Sequence, residues 1–380
     1  MLLSRCWLYF IYFYFLVYSD AVFSVTYILP HSDEVRCVAI GSVGTLIVSG
    51  SQDGWVRVWG LGKDEPIFSF EHGSPVDTVA FDFDGIHVFS HSLQFVKVWR
   101  MGKAKAVYER ERPKNTDCVF SSAAFSRGGE RIAIGYSSGL LEVCEWQREK
   151  PPLLFKHGEE VIRNLAFCPN STELISCAGK TVKVWPLRNI PPDFIGFEVG
   201  FKVSDNEDLV ELKFLQPSRT FEHGGDVCSV SISGNGRRLL VTSVDENFNE
   251  GLYPNVGIFT LWKLEAEDYM KKVLKFSTPS LVLSASLNYD GSIAAFTNEV
   301  DKGFSLCKTR KKGKLKGCWC RNVLALRPNK VCFSPDNKRV AVCGNQLLEK
   351  QNAGSVIVYY LKYLENHDEC EKNRPDLSCN

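Results

Sequence analysis

The chain has 380 residues, 44% of them hydrophobic and 23% charged, with a formal net charge of +1. That composition excludes a collagen-like or wholly disordered chain and gives no overall field to draw it onto nucleic acid or an acidic membrane. The length exceeds the usual single domain, which leaves two domains or a repeat array in which each unit adds its own slice of core.

The N-terminus comes first in chain order. Arg5 precedes an apolar run from Cys6 to Tyr18, and Ser19-Asp20-Ala21 follows as a small-residue cleavage site. This resembles a secretory signal, although its richness in Tyr and Phe also fits a hydrophobic extension packed on the domain or a wrongly assigned start. The run is short of the roughly 20 residues of a membrane-spanning helix. Asn170-Ser171-Thr172 is a glycosylation sequon, relevant only if the chain is secreted.

From residue 22 onward the chain repeats itself. Val56-Arg57-Val58-Trp59, Val96-Lys97-Val98-Trp99 and Val182-Lys183-Val184-Trp185 are near-copies, and Trp146 and Trp262 end looser versions. His31, His72 and His157 precede the first three tryptophans by 28, 27 and 28 residues. Between histidine and tryptophan lie three short runs of β-branched and aromatic residues, such as Val35–Ile40, separated by turns such as Phe83-Asp84-Gly85. A fourth run follows the tryptophan, as in Pro66–Phe70 or Leu153–Phe155. These are strands, four to a unit of roughly 40 residues.

Units ending at Trp59, Trp99, Trp146, Trp185 and Trp262 make five. Val282–Leu287, Ile293–Phe296 and Phe304–Leu306 supply a sixth, and Val331–Asp336, Arg339–Val342 and Val356–Tyr360 a seventh. In the seventh, Tyr360, or its neighbour Tyr359, takes the tryptophan's place. That unit lacks an outer strand, and residues 22–29 are expected to supply it by pairing with 356–360, since an open ring would expose unpaired edges. Pro186 to Pro217 is an insertion that reads as a projecting hairpin or, alternatively, an eighth unit. Asp245 to Asn255 is an acidic inter-strand loop carrying Phe248 and Tyr253.

On these residues the chain resembles the WD40-repeat family. The best-matching unit is Ser49-Gly50-Ser51-Gln52-Asp53-Gly54-Trp55-Val56-Arg57-Val58-Trp59 with His31 upstream. The resemblance implies an all-β, closed β-propeller of about seven four-stranded blades. It also implies a buried hydrogen-bonded network of His31, Ser49, Asp53 and Trp59. Asp53 is replaced by Leu93 and Gly179 in the second and fourth units, and no unit ends in Trp-Asp. The expected organisation is a leader over 1–20, a propeller over 21–362 and a charged tail over 363–380.

The chemistry that stands out is sparse. No nucleophile elbow, phosphate loop or metal-ligand cluster is present, and Gly41–Gly44 and Gly234–Gly236 are turns with no helix behind them. Fourteen cysteines form no framework, and Cys318-Trp319-Cys320 lacks the two-residue spacer of zinc sites. Buried free thiols of this kind fit a reducing compartment. No catalysis, cofactor, metal or small-molecule substrate is expected.

The sharpest local feature is basic: Lys308, Arg310, Lys311, Lys312, Lys314 and Lys316, followed by Arg321, Arg327 and Lys330. It reads either as a solvated loop or as a grip on RNA, DNA or an acidic partner. The functional expectation is a non-catalytic scaffold within a multiprotein complex, cytoplasmic or nuclear, with Phe248 and Tyr253 as candidate protein anchors. A ribonucleoprotein component using the basic stretch is the first alternative. A secretory-pathway propeller, with membrane contact through the N-terminal segment, is the second.

Overall fold

Alternating apolar runs broken by Gly-, Asn- and Asp-containing turns favour antiparallel hairpins over helices. The computed structural model describes residues 23–112, 118–188, 215–244, 257–264, 270–278, 282–298, 303–309, 315–322, 326–346 and 353–361. Among these described residues all regular elements are strands, and they form seven four-stranded antiparallel sheets. The chain is a seven-bladed β-propeller.

Six blades are runs of four consecutive strands, over 35–71, 78–111, 120–156, 162–222, 227–278 and 282–322. The seventh takes three strands from 326–361 and its outer strand from Phe23–His31. Phe23 lies opposite Leu361 and His31 opposite Gly354, so the expected ring closure is present and extends to His31. Residues 189–214, the bulk of the inserted segment, lie outside the described residues, as do 1–22 and 362–380.

No blade holds a complete core. Val56, Val58 and Phe70 of the first blade pack with Val79, Val88 and Trp99 of the second. Leu29, Ala341 and Val358 of the seventh pack with Val38, Ile47 and Trp59 of the first. Each such side chain contributes about 1.5–3 kcal/mol by leaving water, and it does so only when the next blade is present. Stability is therefore a property of the ring.

Register locates the place at which each third strand closes its blade. Trp59, Trp99, Trp185 and Trp262 face Ile47, Val88, Leu174 and Leu239. In the third blade Cys144, facing Ile132, holds that place instead of the expected Trp146. Trp146 sits beyond the strand end, its indole N–H donating to the Gly129 carbonyl at 2.7 Å and its ring against His87 and Tyr108. In the seventh blade the place belongs to Tyr359, buried and facing Val340, rather than to Tyr360, which faces Arg339 and is half-buried. A one-residue slip puts a side chain on the other face of its strand, and only Tyr359 points into the core.

The topology sorts all connections onto two faces. Turns between first and second strands, and between third and outer strands, lie on one face; the remaining connections lie on the other. Leu361 reaches the first of these faces, where its amide donates to the Lys338 carbonyl at 2.8 Å.

Candidate functional site

Three of the histidines lock blades from inside. His31 Nε2 lies 2.7 Å from Ser49 Oγ, which accepts the Trp59 indole N–H at 2.9 Å. His72 and His157 meet Ser90 and Ser176 through Nδ1 instead, at 2.9 and 2.7 Å, and those serines accept the Trp99 and Trp185 indole N–H at 2.7 and 2.8 Å. Burial, aided by the nearby Arg57, lowers His31 to about 4. Burial likewise lowers His72 and His91 to about 3 and His157 to about 4. All four are neutral at physiological pH, and three of them, His31, His72 and His157, are the clamps.

Asp53 does not join His31. Its carboxylate accepts from Ser32 Oγ at 2.9 Å, Arg57 Nη2 at 2.8 Å and the Trp55 amide at 3.0 Å, while His31 Nδ1 lies 3.1 Å from the Leu29 carbonyl. The guanidinium four residues on is a stronger partner for a carboxylate than a neutral imidazole. Burial opposes ionisation, yet the bonds from Arg57 and Trp55 hold the Asp53 carboxyl below its usual range.

The third blade replaces the clamp with a buried ion pair. Glu142 is fully buried, and Arg110 meets it with both terminal nitrogens, at 2.6 and 3.0 Å. Burial raises the Glu142 carboxyl despite Arg110, and pushes the neighbouring Cys144 thiol up to about 11. Cys37 is pushed to about 12 in the same way. Such thiols are poor nucleophiles. Among the described residues no group of His, Cys, Asp and Glu is placed to hold a metal ion.

The concave feature that remains lies on the axis. Ile40, Phe81, Phe125, Phe167, Ile232, Leu287 and Phe333 are the last residues of the seven innermost strands, and together they line a cavity of about 300 Å³. Because the strands are equivalent, their ends converge on one ring and form an apolar funnel. Its mouth carries Phe83 and Tyr289, 51% and 42% exposed, with the Arg127 guanidinium 5.0 Å from the Phe83 ring centroid. The turns around the mouth are stitched blade to blade. Ser42 Oγ donates to the Phe83 carbonyl, the Phe83 amide to the Arg127 carbonyl at 2.7 Å, and Arg127 Nη1 to the Gly234 carbonyl at 3.3 Å. The Asn235 amide donates to the Tyr289 carbonyl at 2.9 Å, and the Tyr289 amide to Asn337 Oδ1 at 2.7 Å.

Of the residues singled out as partner-binding, Lys308 is the last residue but one of the sixth blade's third strand and lies opposite Lys316 of the outer strand. Arg310, Lys311, Lys312 and Lys314 lie outside the described residues, as do Phe248 and Tyr253. The strands flanking 310–314 meet the funnel face, whereas Val244 and Gly257, flanking 245–256, pair at the opposite face. Sequence reasoning missed the funnel. Its signal was the large apolar residue that ends each unit's first strand.

Comparisons with known proteins agree with the architecture. The model of the family "WD domain, G-beta repeat" matches residues 23–60, 150–186 and 215–248. The U3 small nucleolar RNA-associated protein 15 homolog of Gallus gallus is 24% identical over 217 residues, 57% of this chain and 37% of that protein. The small ribosomal subunit protein RACK1z of Oryza sativa subsp. japonica is 24% identical over 118 residues, 30% of this chain and 35% of that protein. The chain thus spans about a third of each relative's length. The solved β-propeller domain of Cps50 (Swd1) from Myceliophteria thermophila superposes with a TM-score of 0.69 at 12% identity, covering 89% of this chain and 99% of that one.

Proposed function

Because this chain belongs to the WD40-repeat β-propellers, we propose that it acts as a non-catalytic scaffold holding other proteins in a multiprotein complex. One observation carries the reading: the funnel mouth presents the exposed rings of Phe83 and Tyr289 on turns bonded from blade to blade, while His31, His72 and His157 each hold a buried serine inside a blade. A rigid face with exposed aromatics suits partner docking, because little conformational entropy is lost on binding. The relatives' names place them with small nucleolar RNA and with the ribosomal subunit, which supports a nuclear or cytoplasmic setting for this chain. The test is affinity purification of the full chain after nuclease treatment, with mass spectrometry. Co-purifying proteins in fixed ratio are expected; recovery of the chain alone would overturn the scaffold.

A ribonucleoprotein setting is the second reading. It is favoured by the basic run from Lys308 to Lys316, whose flanking strands meet the funnel face.

A further inference from the structure

The seven turns around the funnel mouth share one geometry. Counting on from the last residue of each innermost strand, the second residue lines the mouth, the third forms the tip and the fourth has a positive φ. Two of these turns match in chemistry as well. Phe83-Asp84-Gly85 in the second blade and Tyr289-Asp290-Gly291 in the sixth each set an exposed aromatic ring at the mouth and an exposed carboxylate at the tip. Gly85 and Gly291, at φ 66° and 71°, allow the backbone to turn there.

The tips carry charge of one sign. Three of the seven are carboxylates, Asp84, Asp290 and Asp336, and none is a cation. Asp336 is paired with Arg339 at 3.2 Å. Asp290 accepts the Ser292 amide and hydroxyl at 3.0 and 2.7 Å, and neither it nor Asp84 has an ion-pair partner among the described residues. The charges that line the mouth are already engaged. Asp82 accepts the His87 amide and ring nitrogen at 3.0 and 2.8 Å, and Arg127 lies on the Phe83 ring and bonds the Gly234 carbonyl. The exposed cations Arg237 and Lys338 come one residue after the positive φ. There the chain has turned toward its second strand, about 4.8 Å further from the axis. Beside Phe83 the apolar surface continues outward through Val43 and Ile86, 76% and 45% exposed, on turns joined by the bond from Ser42 Oγ to the Phe83 carbonyl.

Resting on the scaffold reading, we propose that the funnel mouth binds a protein segment that inserts a bulky apolar side chain and carries a lysine or arginine on each flank, one for Asp84 and one for Asp290. The cavity of about 300 Å³ has apolar walls and admits the anchor. The second and sixth blades stand three steps apart in a ring of seven, so a segment crossing the mouth meets the two carboxylates on opposite sides of its anchor. Phe83 and Tyr289, next to those carboxylates, cover the aliphatic stems of the flanking cations and offer them a ring face. An acidic segment or a nucleic acid would set its own negative charge against the tips.

The test is selection of a random peptide library on the full chain, followed by fluorescence anisotropy of the enriched peptides. Enrichment of Phe, Leu, Ile or Trp between Lys or Arg residues is expected. Asp84→Asn with Asp290→Asn is expected to weaken these peptides about five-fold, and added salt to narrow that difference. The melting temperature should match wild type, because Asn170 and Asn235 already occupy the same tip in the fourth and fifth blades. Phe83→Ala with Tyr289→Ala is expected to weaken binding about ten-fold or more. Enrichment of acidic or uncharged peptides, no enrichment, or equal binding by the asparagine variant would overturn the proposal. Affinity purification of the same variants separates the two levels. Proteins that co-purify equally with wild type and with both variants overturn this site and keep the scaffold; recovery of the wild-type chain alone overturns both.

Discussion

Ser49, Ser90 and Ser176 each accept an indole N–H that burial would otherwise leave stranded. The fifth blade shows the alternative: Val241 stands at the serine's position, and Trp262 Nε1 has no acceptor among the described residues. Ser176→Ala strands the Trp185 indole N–H and His157 Nδ1, while His157 Nε2 keeps Thr181, and the expected cost is about 1–3 kcal/mol, read as a lowered Tm in thermal melts. An unchanged Tm would remove the clamp from the list of stabilising devices. The same histidines set a pH dependence. Unfolded, they take up protons near pH 6.5; folded, burial holds them neutral down to about 4 for His31 and His157 and about 3 for His72 and His91. The unfolded state therefore binds more protons below pH 6.5, so stability complete above that value declines as the pH falls towards 4. Melts at pH 7.5, 6 and 5 check this, with a falling Tm expected. At this scale the sequence was only partly legible. His31, Ser49 and Trp59 meet as the repeat implied, but Asp53 turns to Arg57, and a spacing rule does not report which of two bases a carboxylate prefers.

Among elements, the third blade departs from the clamped ones. Glu142 occupies the position that Arg57, Lys97 and Lys183 hold in the clamped blades, and Arg110 crosses from the second blade's outer strand to neutralise it. Arg110→Met leaves a buried carboxylate without its partner, an expected loss of about 3–5 kcal/mol, whereas Arg110→Met with Glu142→Leu recovers most of it. Denaturant titration of both variants separates the pair from its parts; equal losses would show that packing, rather than charge, holds the two blades together. The same blade explains why Trp146 misled the sequence reading. Counting by residue type landed on a tryptophan two positions past the true place, where Cys144 sits. Only pairing with Ile132 reveals the register. Strand existence, by contrast, was legible throughout, because alternation and turn chemistry are local.

For the whole molecule, the number of blades and the closure by the first described strand could be read from the sequence, since a missing outer strand in one unit and a spare one before His31 demand each other. The funnel could not, because it exists only where seven distant strand ends converge. Closure gives a direct test at this scale. Removing residues 1–21 is expected to leave the melting temperature intact, while removing 1–30 deletes nearly all of the strand paired with Gly354–Leu361 and lowers it sharply. Equal melting temperatures would refute the closure. The pairing also has a consequence for biosynthesis. Of the blade strands, Phe23–His31 is made before the rest and its mate Gly354–Leu361 after them, so its edge stays unpaired through the making of six blades. During that interval the unpaired edge is open to pairing with other chains, so the speed of translation bears on how safely the disc is sealed.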